Sequence, residues 1–350
     1  MSMASPAGTE LEFPFPDAPA PGQLFEVSHG IYWLRMPLPI RLNHINLWLI
    51  EGESGFSLID TGWATDENIA IWERVAAERF VSKPVHEIIV THMHPDHIGL
   101  AGWLCKVHGV ELYMSRAEYF NCHLLLSYTH EEAPEEAIGF YQAIGYSEAQ
   151  LHNYRAHFGQ FGQFVRSLPH AYHRLQEGDE LTLGGVRWQV IIGEGHSPEH
   201  VCLYSPERKV LISGDQLLPS ITSNTSVWPT EPHANPLEEW LASCQRLSGL
   251  IPDDVLVLPA HGLPFRGART RLEQQIQEIA ENLDKLLVFC HEPRRVVDTF
   301  PVLFRSEITN GNLMMAAGEG LAYLHCLQAR GLVQVEYRDG VGYWQRVAGK

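Results

Sequence analysis

The chain has 350 residues, with 25 Lys+Arg against 42 Asp+Glu, a net charge of −17 with histidine neutral, and it carries 19 His, 22 Pro and 6 Cys. With 45% hydrophobic and 19% charged residues it can bury a full core, which excludes wholesale disorder. The acid excess argues against a general binder of nucleic acid or of anionic membranes, because neutralising phosphate takes Lys and Arg. No apolar run is long enough for a spanning helix, and Met1-Ser2-Met3-Ala4-Ser5-Pro6 offers neither the basic nor the apolar region of a secretory signal. Cys105, Cys122, Cys202, Cys244, Cys290 and Cys326 form no C-x-x-C pair and read as small buried hydrophobes, so a reducing, cytoplasmic setting is the default expectation.

In chain order, residues 1–22 hold Pro6, Pro14, Pro16, Pro19 and Pro21 and read as an extended or surface-draped arm. Strands are expected at 30–36, 45–51 and 55–60. A helix then opens at Thr65-Asp66 and runs to about Phe80. A buried strand at 87–90, a helix at 99–108 and a strand at 110–115 continue an alternation that predicts an α/β layer architecture. Residues 115–175 break it with three or four inserted helices. Ser115 and Glu118 read as a capping box, and Ser147 caps a helix through Leu151, Tyr154 and Phe158. Strands return at 181–183, 186–192, 201–204 and 210–213, followed by a helix at 236–247 and a strand at 255–258, so the two halves look loosely alike.

After Phe265 the pattern changes. Leu272, Ile276, Ile279, Leu283, Leu286, Leu287 and Cys290 form one helical stripe, and a second helix spans 312–330 with Gly331 beyond its end. Val333, Val335 and Tyr337 alternate, Asp339-Gly340 turns the chain, and Val341 and Tyr343 alternate back as a hairpin. Helices followed by a hairpin resemble a winged helix. Residues 266–350 nevertheless hold 11 Lys/Arg and 10 Asp/Glu, and 312–330 has one of each sign. That balance favours a packing or dimerising cap, consistent with a homodimer, over a DNA reader. The resulting division is an arm at 1–22, a catalytic domain at 23–265 with the insertion at 115–175, and a C-terminal domain at 266–350.

The chemistry is concentrated at strand ends. Val90-Thr91-His92-Met93-His94-Pro95-Asp96-His97 places four donors within six residues directly after a buried strand. Imidazole nitrogen and carboxylate oxygen suit zinc, iron or manganese. His196 follows Ile191-Ile192, Asp215 follows Val210–Ser213, and His261 follows Val255–Leu258. Singly, Asp215 reads equally as a turn residue and His261 as a helix-cap histidine. Together the donors number seven, too many for one ion and suited to two.

These residues resemble the metallo-β-lactamase superfamily over roughly residues 25–265. The resemblance rests on T-H-M-H-P-D-H-I-G at 91–99, G-H-S-P-E-H at 195–200, S-G-D at 213–215, A-H-G at 260–262 and Leu58-Ile59-Asp60-Thr61-Gly62. It implies an αββα sandwich with metals at one sheet edge. One metal would take His92, His94 and His196, the other Asp96, His97 and His261, and Asp215 would bridge them. Asp60 would stand behind the ligands and orient one of the histidines. The terminal helices and hairpin are similar to the winged-helix-bearing branch of hydrolases in this superfamily.

The resemblance implies a dinuclear hydrolase, glyoxalase II-like, acting on a small acyl ester, thioester or lactone. Two ions about 3.5–4 Å apart share a bridging hydroxide, one polarises the electrophile, and Asp96 orients the nucleophile and passes a proton to the leaving group. No serine or cysteine nucleophile is needed. Asp215 favours the thioesterase, lactonase and nuclease branches over true β-lactamases, and Leu218 stands where quorum-signal lactonases commonly carry Tyr. The alternatives are a phosphodiesterase or single-strand endoribonuclease with the same metals, which the charge of −17 disfavours, and a partner-binding protein with a structural site. Aromatic residues of the insertion, Tyr119 to Phe164, suggest a lid with an apolar wall, and the Ser/Thr/Asn-rich loop 219–229 suggests substrate contact.

Overall fold

The computed structural model describes residues 10–349. An antiparallel meander of β1 (Leu24–Ser28), β2 (Ile31–Pro37), β3 (His44–Glu51) and β4 (Phe56–Ile59) opens the fold. The chain then makes parallel crossovers. Helix α1 (Asp66–Arg79) leads to β5 (Val85–Ile89), and α2 (Pro95–Ile98) with α3 (Ala101–His108) leads to β6 (Glu111–Ser115). Four inserted helices follow: α4 (Arg116–Ser127), α5 (Glu135–Ala143), α6 (Glu148–His157) and α7 (Phe161–Phe164). Then β7 (His173–Leu175) completes a seven-stranded sheet in sequential order.

The second sheet has the order β12-β11-β10-β9-β8. Its strands β8 (Glu180–Leu183), β9 (Val186–Gly193), β10 (His200–Ser205) and β11 (Val210–Gly214) are antiparallel. Helix α8 (Pro236–Leu250) crosses over to β12 (Leu256–Pro259), which lies parallel to β11. Helices α9 (Ala268–Phe289), α10 (Phe300–Leu303) and α11 (Leu313–Ala329) and the hairpin of β13 (Val333–Arg338) and β14 (Val341–Arg346) end the chain. Strands β1 and β7 and the short helical stretch 296–303 were not among the expected elements.

Period-two alternation builds the layers. In β3, Ile45, Leu47 and Leu49 pack toward α1 and α3, while Trp48 and Ile50 pack between the sheets. In β12, Leu256 and Leu258 face that inter-sheet layer and Val257 faces α8 and α9. Both faces of the central strands are therefore apolar, as an αββα sandwich requires and as their unbroken apolar runs signalled. The outer helices obey their own rules. Thr65 caps α1 by accepting from Asn68 N–H at 3.2 Å, and Ile71, Trp72 and Val75 form its buried face.

Ser147 caps α6 as expected, and Gln150 completes a capping box with it. The one expected at Ser115 does not form. Ser115 Oγ instead donates to the Glu199 carbonyl at 2.7 Å, and the Glu199 carboxylate accepts from Ala117 N–H at 2.9 Å, capping α4 from a distant loop. Tertiary partners have displaced the local motif.

The C-terminal helices share a continuous core with α8 and the insertion. Leu272, Ile279, Leu283 and Trp344 pack with Trp240 and Leu247 and with Tyr141, Tyr146 and Tyr154 of the insertion. Fully burying a large apolar side chain contributes about 1.5–3 kcal/mol, so these rings are part of what holds the insertion in place. Of the arm, Glu12 N–H bonds to the Arg266 carbonyl at 3.2 Å and the Phe13 ring lies 6.4 Å from that of Phe265; residues 1–9 lie outside the described residues. Among the described residues no helix is long and apolar enough to cross a membrane. All six cysteines are free and buried.

Candidate metal centre

Every singled-out donor follows the C-terminal end of a strand, the end where α/β sheets open a crevice. Asp60 follows β4; His92, His94, Asp96 and His97 follow β5; His196 follows β9; Asp215 follows β11; His261 follows β12. The two sheets bring these ends together. One ligand atom from each of His92, His94, His196 and Asp215 lies within 4.8 Å of the others, and Asp96, His97 and His261 form a second such group. Asp215 faces both groups. Its Oδ2 lies 3.4 Å from His196 Nε2, while its Oδ1 lies 3.6 Å from His97 Nε2 and 3.4 Å from His261 Nε2.

The far side of most of the rings is tied down. His97 Nδ1 meets Asp60 Oδ2 at 2.7 Å, His196 Nδ1 the Asn224 carbonyl at 2.7 Å, His261 Nδ1 the His44 carbonyl at 2.9 Å, and His92 Nδ1 the Thr91 hydroxyl at 3.1 Å. A nitrogen bonded to a carbonyl or carboxylate must carry the proton, which leaves Nε2 of His97, His196 and His261 as a lone-pair donor toward the centre. His94 differs: its Nδ1 lies 2.8 Å from His92 Nε2. Both oxygens of Asp60 are partnered, accepting from Thr91 N–H at 2.8 Å and from the Thr91 hydroxyl as well as His97. It is held at φ +61°, in the left-handed region that a non-glycine residue rarely occupies.

The donor set fits a cation. Nε2 of His97 and of His196 and Oδ1 of Asp215 are buried with no hydrogen-bond partner, an arrangement that costs stability unless an electrophile sits among them. The electrostatics agree. Burial and the neighbouring imidazoles hold His92 and His200 well below the usual histidine range, and His94 is driven to about 3, chiefly by burial. Burial resists charging His97 too, yet Asp60, Asp215 and Asp96 together hold it well above that range, and Asp215 and Asp96 raise His261 against burial in the same way. The carboxylates thus draw positive charge to the meeting point of the two groups.

His200, which belongs to the 195–200 motif but not to the expected ligands, lies in neither group. Its Nε2 accepts Asp215 N–H at 3.0 Å and its ring sits 4.7 Å from that of His92. Gly214 permits this contact: at φ +50°, a Cβ there would lie 2.5 Å from the His200 ring atoms. Sequence reasoning also missed Glu118. This fully buried carboxylate, pushed upward by burial, accepts Met93 N–H at 2.9 Å and Glu199 N–H at 2.9 Å, pinning two ligand-bearing loops to each other. Two hydroxyls of the loop 219–229 turn inward: Ser223 Oγ donates to the Asp215 carbonyl at 2.6 Å, and Ser226 Oγ to Asn224 Oδ1 at 2.6 Å.

A structure described as a beta-lactamase domain protein from Burkholderia ambifaria superposes with a TM-score of 0.88 at 38% identity, covering 96% of this chain and 98% of that one. A probable metallo-hydrolase of Bacillus subtilis, YqjP, is 24% identical over 91% of this chain and 98% of its own. The human acyl-coenzyme A thioesterase MBLAC2 is 24% identical over 76% of this chain and 88% of its own. A metallo-beta-lactamase-like C-terminal domain model matches residues 283–347. With the model of the metallo-beta-lactamase superfamily matching residues 40–261, on the sheets and strand-end donors described above, the chain belongs to that superfamily.

Proposed function

We propose that the chain is a hydrolase with two divalent metal ions, acting on a small acyl ester, thioester or lactone. The observation that carries this reading is the division of the Asp215 carboxylate, one oxygen toward His196 and the other toward His97 and His261. His92, His94 and His196 would hold one ion, Asp96, His97 and His261 the other, and Asp215 would span both. Zinc suits this N/O donor set, with iron and manganese as alternatives. When bound, two such ions lower the pKa of a shared water toward ~7 and polarise the scissile carbonyl.

The protein's own part is orientation and proton handling. Asp60 fixes the His97 tautomer, the Asn224 and His44 carbonyls fix His196 and His261, and Glu118 keeps the 92–97 and 195–200 loops in register. The Asp96 carboxylate, which keeps some access to solvent, receives the nucleophile's proton and delivers it to the leaving group. A leaving thiolate or alkoxide needs that proton least when it is already a weak base, which favours thioesters and activated esters.

Exposed apolar side chains on segments bonded to the ligand histidines or to their partners support an acyl substrate. Ile40 and Leu42 are exposed in the loop that ends at His44, and Ile221, Met314 and Met315 are exposed on and beside the loop that runs past His196. The Trp63 and Phe164 rings meet at 5.0 Å just beyond Asp60. The relatives named as a metallo-hydrolase and an acyl-coenzyme A thioesterase point the same way. Six unpaired buried cysteines suit a cytoplasmic enzyme. The test is turnover of a panel of thioesters, lactones, phosphodiesters and RNA by metal-loaded protein, with His94→Ala as control. Thioester or lactone turnover that His94→Ala abolishes is expected. RNA or phosphodiester cleavage alone would overturn the substrate class, and activity retained by His94→Ala would overturn the metal mechanism.

A further inference from the structure

One wall of the centre is held from outside the sandwich. The chain between Asp215 and Val227 is bonded to α9 and α11 along most of its length. Arg271 of α9, 4% exposed, donates through Nε to the Leu218 carbonyl at 2.9 Å and through Nη2 to the Ile221 carbonyl at 3.1 Å. Ser226 Oγ, whose proton goes to Asn224 Oδ1, also lies 3.1 Å from the Met315 carbonyl, and Val227 N–H donates to the Gly318 carbonyl at 3.1 Å. Gly318 lets α11 come this close, since a Cβ there would lie 2.7 Å from Ser226 Cβ and 2.8 Å from the Val227 carbonyl oxygen.

Within this loop, Asn224 has an unusual set of partners. Its backbone carbonyl accepts from His196 Nδ1 at 2.7 Å, its side-chain oxygen accepts from Ser226 Oγ at 2.6 Å, and its side-chain nitrogen donates to Glu319 Oε2 at 2.6 Å. Glu319 belongs to α11 and is half-buried. Among the described residues no arginine or lysine forms an ion pair with it; its bond is to the Asn224 amide. A carboxylate drawn partly out of water without a cationic partner is costly to keep charged, so its hydrogen bond to Asn224 carries the more weight. Its one directed contact leads, through a single residue, to a donor of the metal centre.

We propose that Glu319 is a positioning residue. By fixing the Asn224 side chain it fixes the carbonyl that sets the tautomer and ring orientation of His196, so the C-terminal segment governs how firmly an ion is held in the His92, His94 and His196 group. This rests on the metal-centre reading given above.

The test is zinc affinity by competition with a chromophoric chelator, together with the visible absorption of the cobalt(II)-loaded protein and the thermal unfolding of metal-free samples. Wild type is expected to bind zinc; if it does not, the metal-centre reading itself fails. Glu319→Ala should weaken one equivalent of zinc by about tenfold or more, and should alter the cobalt bands. Glu319→Gln retains an oxygen that accepts from Asn224 and should stay within about threefold of wild type with unchanged bands. Asn224→Ala, which also removes the contacts to Ser226 and Met315, should weaken zinc at least as much as Glu319→Ala, and the double variant should be no worse than Asn224→Ala alone, because Glu319 acts through Asn224. If Glu319→Ala fails to fold, Asn224→Ala against Glu319→Gln decides. A wild type that binds zinc beside a folded Glu319→Ala that binds it equally well, or losses that simply add in the double variant, would overturn the inference alone.

Discussion

The two halves of the sandwich use the same strand–helix–strand unit to different ends. In the first, β4, α1 and β5 place Asp60 after one strand and His92 after its parallel neighbour; in the second, β11, α8 and β12 place Asp215 and His261 in the corresponding positions. Each unit leaves its first strand through a left-handed residue. In the first half that residue is Asp60 itself, at φ +61°; in the second it is Gly214, at φ +50°, and the carboxylate comes one residue later. The one-residue offset separates their chemistry. Asp60 is turned back onto Thr91 and His97 with both oxygens partnered, whereas Asp215 projects between the two donor groups with Oδ1 unpartnered. A shared topology thus supplies one carboxylate bonded back onto its neighbours and one that faces both donor groups, and satisfaction by hydrogen bonds tells them apart.

Substitutions can break this contrast. Asp215→Ala removes the group that faces both donor sets, and activity should fall by more than ~10³-fold with loss of bound metal, measured as kcat/KM and metal content. Asp60→Asn leaves all seven donors in place and should cost only about 10–100-fold in metal affinity or activity, through loss of the His97 tautomer. Equal effects from the two would mean that the halves do not differ as described. Gly214→Ala tests the second half's turn. The positive φ and the 2.5 Å approach to the His200 ring should cost about 1–3 kcal/mol in unfolding free energy, and the displaced ring would lose its bond to Asp215 N–H.

The smallest expected effect lies at the support of the second half. Burial, partly offset by the Asn224 bond, raises the Glu319 carboxyl from the usual 4.5 to about 7. The folded protein therefore holds a proton that the unfolded chain releases between those values, and stability falls as pH rises through that window. Glu319→Gln does not titrate. It should unfold a few degrees higher than wild type at pH 8, and the difference should vanish near pH 4.5. A difference independent of pH would show that the carboxyl is not held in this way.

Most of the sandwich was legible because its central strands are apolar on both faces and end in donors, a combination of pattern and punctuation confined to a few consecutive residues. The supporting groups were not legible, for a physical reason. Glu319 meets Asn224 across 95 residues and Arg271 meets Leu218 across 53, so neither leaves a local signature. Glu118 did leave one, and it misled: three residues after Ser115 it matches a capping box, but in the fold its carboxylate bonds to Met93 and Glu199. In the hydroxyl-rich loop after Asp215, where the sequence suggested substrate contact, Ser223 and Ser226 are buried and bond to backbone and side chain, a role that polar residues in a loop do not signal. Strand β7 escaped notice because two of its three residues, His173 and Arg174, are exposed at a sheet edge, where the apolar alternation is lost.

The central claim is that Asp215 joins two ion sites into one hydrolytic centre, and it is tested most directly by following thioester or lactone turnover while metal-free protein is titrated with zinc. In wild type, activity should rise to a maximum at two equivalents per chain, and an Asp215→Ala variant should stay inactive at any ratio. Full activity at one equivalent, or turnover by the metal-free chain, would contradict that claim.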